Sequence, residues 1–174
     1  VVEQTPRNII VINKKLRRAI PARIVAASGE QRRDYVVLQV QLPADVQIVP
    51  LRFAVGAKRT ERVSAWGYPH AISKGDPKYQ ALISGMAEAA PELSYADGVI
   101  SAVLDRKPPL IVHTAPLSPG NSGGPLANEK GFVVGVNSMI SLDEDSYRQT
   151  SIALPASDIL SFLKENSINV SVSK

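Results

Sequence analysis

Short runs rich in valine and isoleucine alternate with turn residues along most of the chain. Residues 8–13, 22–27, 35–40, 62–66, 98–103, 110–114, 132–137 and 149–154 read as β-strands. Branched side chains suit a pleated, half-buried surface, and Gly, Pro, Asn, Asp and Ser punctuate the runs. Ser28-Gly29-Glu30 reads as the turn between the second and third. No strand–helix–strand rhythm appears, so the pattern predicts an all-β sandwich or barrel. Two segments depart from it. Tyr79 to Ala90 has partial helical spacing and lies in a stretch, His70 to Tyr95, that reads as an insertion. From Ser157 to Glu165, Ile159, Leu160, Phe162 and Leu163 form one apolar face, with Ser157 as cap and Asp158 in the first turn. That predicts a C-terminal helix packed on the barrel.

A chain of 174 residues is one domain, or two small lobes sharing a core. Its 44% hydrophobic and 21% charged content is that of a globular protein, not a disordered tail. No apolar run reaches the roughly 18 residues of a membrane-spanning helix. Val1 to Pro6 have neither the basic start nor the apolar stretch of a signal peptide. The absence of cysteine excludes disulfides, thiolate nucleophiles and Cys-ligated metal. The net charge of +4 is unevenly spread: residues 1–62 carry 12 Lys/Arg against 5 Asp/Glu, and residues 63–174 carry 8 against 11. The densest basic cluster, Lys14, Lys15, Arg17 and Arg18, has no interleaved aromatic, and none occurs before Tyr35. It reads as a solvated loop, and no nucleic-acid partner is expected.

The chemistry concentrates in Pro119-Gly120-Asn121-Ser122-Gly123-Gly124-Pro125-Leu126. Glycines around a serine, in a turn between β segments, allow backbone conformations closed to other residues and let a substrate approach the main chain. Backbone N–H groups in such a turn can converge as an oxyanion hole beside a nucleophile. A tight turn with an incidental serine has the same spacing. The nucleophile elbow of α/β-hydrolases fits poorly, since Pro125 follows and no helix-forming run does.

The full string closely resembles the nucleophile motif of trypsin-like serine proteases, in the form used by the HtrA (high-temperature-requirement) branch. Thr114 to Pro119 is similar to the family's approach to the serine, and Gly131 to Ser138 to the strand after it. Val63 to Pro69 is similar to the opening of the second barrel, and Tyr95 to Ser101 to a further family stretch. The resemblance implies two six-stranded antiparallel β-barrels, the first incomplete in this chain, with a C-terminal helix. The expected organisation is 1–57 for the remainder of the first barrel, 58–155 for the second with an insertion at about 71–94, and 156–174 for helix and tail.

Carried over residue by residue, the resemblance makes Ser122 the nucleophile and places Gly120, Asn121 and Ser122 at the oxyanion hole. Asp34-Tyr35-Val36-Val37-Leu38-Gln39-Val40 is similar to the segment whose Asp orients the catalytic histidine. By itself Asp34 reads as a strand-end turn residue. The histidine of the pattern precedes that Asp, whereas His70 and His113 both follow it. His113 therefore reads as structural and His70 as a loop residue. The family's Thr-x-x-His-Val-Val pattern aligns its last two positions with Val1-Val2, so the catalytic histidine is expected immediately upstream of Val1.

The primary substrate pocket implied by the resemblance is lined by Pro116, Leu117, Ser118, Pro119, Val136, Asn137, Ser138 and Met139. None is charged, which predicts small or medium apolar side chains at the cleaved position and disfavours Lys or Arg. The acidic run Asp143-Glu144-Asp145 follows this wall, either to bias neighbouring subsites or as a solvated turn. No metal or organic cofactor is implied. The expected partner is a polypeptide substrate, an oligomer is compatible with the sequence, and relatives of this type are exported. The competing reading is a protease-fold module that binds peptides without cleaving them.

Overall fold

The computed structural model describes residues 9–16, 19–29, 35–68, 78, 81–82, 84–90, 92–143 and 148–170. The chain divides into two compact units: Val1–Val49 with Ile72–Glu92, and Pro50–Ala71 with Leu93–Lys174. The segment expected as an insertion in the second barrel thus groups with the first unit. Residues 50–57 group with the second, where Ala54 N–H donates to Val133 O and Val133 N–H to Arg52 O.

In the first unit, β1 (Ile9–Val11), β2 (Ile20–Ala27) and β3 (Val36–Val40) form an antiparallel sheet in that order. The register pairs Val11 with Ile20, Ala22 with Val40 and Ile24 with Leu38, which gathers apolar side chains on one face. On the other face Arg23 Nε donates to Gln39 Oε1 at 2.7 Å. The turn after β2 closes where Ser28 N–H reaches Tyr35 O and Tyr35 N–H reaches Ser28 Oγ. A 3-10 turn at Lys14–Leu16 packs against another at Ala87–Ala89. Within the helical spacing of Tyr79 to Ala90, Ala81 and Leu82 are also helical, and Leu82 N–H donates to Lys78 O at 2.9 Å.

The second unit is a closed six-stranded antiparallel barrel. Its strands are β4 (Arg62–Gly67), β5 (Ser94–Leu104), β6 (Leu110–His113), β7 (Pro125–Asn128), β8 (Val133–Asp143) and β9 (Arg148–Pro155). They run β4-β5-β6-β9-β8-β7, and β7 closes back onto β4 through Val63↔Asn128 and Ala65↔Leu126. Alternation turns Val63, Ala65, Ile100, Ile111, Leu126 and Ala153 into a core with almost no exposed surface. A bulge at Ser101 in β5 and an irregularity at Ser138 in β8 bend the strands around it. Helix α1 (Ala156–Glu165) packs on β8 and β9, burying Ile159, Phe162 and Leu163. Its N-cap is Pro155, without a side-chain cap, so Ser157 lies inside the first turn instead of capping it.

Candidate active site

Three elements of the barrel carry the glycine-rich turn. β6 leads into residues 114–119, held to β5 where Thr114 N–H donates to Val99 O and Val99 N–H to Thr114 Oγ1. The chain then turns through Gly120 to Gly124 before β7 begins. Gly120 and Gly123 have φ of 100° and 84°, a region costly for any residue with a Cβ. Asn121 N–H donates to Ser118 O and Gly124 N–H to Asn121 O, both at 3.0 Å. The turn is tied to β8 by Gly123 N–H to Asn137 O at 2.8 Å and Asn137 N–H to Gly124 O at 2.9 Å. A Cβ on Gly124 would collide with the carbonyl oxygen of Trp66, so the turn is wedged against the end of β4.

Ser122 stands exposed at the tip, and its Oγ donates to Ser138 O at 2.8 Å. With Asn121 N–H committed to Ser118, the backbone donors flanking the hydroxyl are those of Gly120 and Ser122. Neither has a hydrogen-bond partner among the described residues. The Asn121 side chain is buried, and its Oδ1 has no hydrogen-bond partner among the described residues. Among the described residues no group of His, Asp and Glu is arranged to hold a metal ion.

The expected pocket residues divide. Leu117 and Asn137 are buried, Leu117 within the barrel core, while Pro116 and Pro119 are exposed and Ser118, Val136 and Ser138 half-buried. Met139 pairs through its backbone with Ile152. Asp34, His70 and the tip of the acidic run, Glu144 and Asp145, lie outside the described residues. His113 lies on the inner face of the barrel, paired with Ile100 on β5 and Ser151 on β9. It is 2% exposed, and neither ring nitrogen has a hydrogen-bond partner among the described residues. Burial lowers its pKa from 6.5 to about 4, so the ring is uncharged at neutral pH.

One edge beside the serine has no partner strand among the described residues. β7 pairs with β8 only as far as Val136, and the turn takes up both backbone groups of Asn137. Beyond that point β8 continues to Asp143, paired with β9 alone among the described residues.

A family model described as a trypsin-like peptidase domain matches residues 2–136. The chain belongs to the trypsin-like peptidase family. It is 29% identical over 164 residues to a probable periplasmic serine endoprotease, DegP-like, of Pseudomonas putida, covering 90% of this chain and 30% of that protein. A DegP-like protein of Hahella chejuensis is 28% identical over 156 residues, covering 86% of this chain and 29% of the relative. Among solved structures, the HtrA-type protease AlgW with decapeptide superposes with a TM-score of 0.69 at 22% identity. That match covers 95% of this chain and 46% of the other. The serine endoprotease from Yersinia pestis gives a TM-score of 0.66 at 20% identity, covering 94% and 50%. The fold is therefore the trypsin-like double barrel: one barrel closed, the other represented by a partial sheet. This trypsin-like peptidase chain spans about a third of the length of the curated relatives and about half that of the solved ones.

Sequence reasoning missed β7 as a strand, because Pro125 and two short residues hide a run that closes the barrel. It also ended β8 at residue 137, six residues early. The continuing run Met139-Ile140-Ser141-Leu142 holds the missing signal, apolar residues interrupted only by Ser141.

Proposed function

We propose that this chain carries the nucleophile of an exported serine endopeptidase. The observation behind the reading is Ser122. It is an exposed hydroxyl on a glycine turn, flanked by two backbone N–H groups and a strand edge that have no partner among the described residues. Ser122 Oγ attacks the scissile carbonyl, and the N–H groups of Gly120 and Ser122 receive the developing oxyanion. Asp34 orients the histidine that the family pattern sets upstream of Val1. That histidine takes the serine proton and returns it to the leaving amine. In the resting arrangement the hydroxyl proton points to Ser138 O, so attack begins with rotation of that hydroxyl toward the base. The substrate is an extended polypeptide whose strand lies along β8, with Ser138 O accepting from its backbone. The uncharged walls favour small or medium apolar side chains at the cleaved position. The periplasmic relatives support export.

A fluorophosphonate labels only an activated serine. Full-length wild-type protein is expected to label at Ser122 and to cleave unfolded casein. Ser122→Ala is expected to lose both, with turnover down at least about 10,000-fold. A folded full-length protein that neither labels nor cleaves would establish the peptide-binding module instead. Cleavage mainly after Lys or Arg would overturn the pocket assignment alone.

A further inference from the structure

Buried polar groups without partners gather at one place in the barrel. Among the described residues four such side-chain atoms occur: both ring nitrogens of His113, Oδ1 of Asn121 and Oδ1 of Asn137. All three residues adjoin the serine turn. His113 ends β6, which feeds the turn, Asn121 lies within it, and Asn137 on β8 holds it from the side. A buried polar atom without a partner is unfavourable, and such departures concentrate where function needs them. Of the three residues, Asn137 has contacts that show what it does.

Asn137 is 1% exposed, and Val133, Val134, Val136 and Met139 surround it along β8. Gly135 faces the barrel interior, since a Cβ there would meet Ile111 Cδ1 at 3.2 Å and Ala153 Cβ at 3.4 Å. Two residues on, the Asn137 side chain lies on the same face. An apolar residue suits such a position, and Leu has the branching of Asn without its polar atoms. Instead, the carboxamide donates from Nδ2 to Pro125 O at 3.3 Å. The backbone of the same residue accepts from Gly123 N–H at 2.8 Å and donates to Gly124 O at 2.9 Å. One residue thus holds Gly123, Gly124 and Pro125, the three positions directly after the nucleophile. Only the nitrogen end of an amide can donate to a carbonyl. The bond to Pro125 therefore fixes the amide's orientation and leaves Oδ1 without a partner among the described residues.

We propose that the Asn137 carboxamide is a positioning residue for Ser122. Any residue at 137 could make the two backbone bonds, whereas the bond to Pro125 belongs to the side chain. It carries the clamp past the two glycines, the most pliable part of the turn, to the start of β7. The clamp sets the direction from which the Ser122 hydroxyl and the Gly120 and Ser122 N–H groups meet a scissile carbonyl. Asn137 serves the turn and is not a wall of the substrate pocket. This rests on the peptidase reading given above.

The test compares full-length wild type with Asn137→Leu, Asn137→Ala and a control, Val134→Ala, in the same strand and also 1% exposed. Peptides around a site mapped in unfolded casein give kcat and KM. Fluorophosphonate labelling gives the reactivity of Ser122 with little demand on the pocket. Asn137→Leu is expected to melt within about 4 °C of wild type or above it, because the unpaired oxygen is gone. Its kcat and labelling rate are expected to fall together, about 10- to 100-fold, with KM within about twofold. Asn137→Ala is expected to show the same loss of kcat, whatever its melting temperature. Val134→Ala is expected to show the reverse: a lower melting temperature, with kcat within about twofold of wild type. A wild-type kcat in either Asn137 variant overturns the inference and leaves the peptidase reading standing. So does a raised KM with unchanged labelling, which makes Asn137 a pocket wall. An equal loss of kcat in Val134→Ala also overturns it, since the effect then belongs to the whole strand. If wild type neither labels nor cleaves, the peptidase reading fails and the inference falls with it.

Discussion

The two units are built from similar strands and reach different degrees of burial. In the barrel, Ala65, Ile111, Leu126 and Ala153 have no exposed surface. In the three-stranded sheet the apolar face runs from Ile20, 5% exposed, to Leu38, 40% exposed. Composition does not explain this, since both units are rich in Val, Ile and Ala. Closure does. When β7 returns to β4, every inward side chain meets others across the interior, and every core strand finds two partners. Among the described residues the first sheet has three strands, and its alternation sorts residues by face without enclosing them. The difference teaches where chemistry can be held rigidly. The turn bearing Ser122 is braced by β4, β6 and β8, all strands of the closed barrel.

The largest expected contrast is a pair of truncations. Leu126→Ala removes a side chain with no exposed surface and should cost about 2–5 kcal/mol. Leu38→Ala, in the sheet, should cost about 1 kcal/mol or less. Urea unfolding of both variants measures this, and equal losses would break the comparison.

Acid comes next, through His113 inside the barrel. Its folded pKa, about 4, lies below the ordinary 6.5, so the unfolded chain binds the proton more readily. The stability tied to the neutral ring is fully present above about pH 6.5 and is lost as pH falls through 4. The whole span is worth roughly 3 kcal/mol. Unfolding measured at intervals from pH 7 to pH 4 should show this slope, and His113→Val should flatten it. A wild-type profile without the slope would place the imidazole in contact with water.

The third contrast compares glycines. Gly124→Ala drives a Cβ into the Trp66 carbonyl oxygen and should destabilise by about 1–3 kcal/mol while displacing Ser122. Gly29→Ala, in the turn after β2, meets nothing within 4 Å and should change stability by less than about 0.5 kcal/mol. Thermal unfolding together with fluorophosphonate labelling separates the two effects. A Gly124→Ala protein as stable and reactive as wild type would show that the turn is not braced by β4.

The sequence by itself determined the strand segments, the C-terminal helix and the serine turn. These depend on local properties: β-branched runs, an apolar face at helical spacing, and glycines where φ must be positive. It also carried the family motif, since Gly120 to Leu126 needs no partner to be legible. Tertiary structure alone decided the rest. β7 opens on Pro125 and carries no β-branched residue, so it does not read as a strand, and becomes one by pairing with both β4 and β8. The extra length of β8 depends on pairing with β9, a partner whose hydrogen bonds no local pattern reveals. His113 reads as structural from its strand, but the burial of its ring, whose nitrogens have no hydrogen-bond partner among the described residues, follows from barrel closure. Local preference names the elements, whereas closure and register depend on contacts between residues far apart in sequence, and so emerge only when the strands meet.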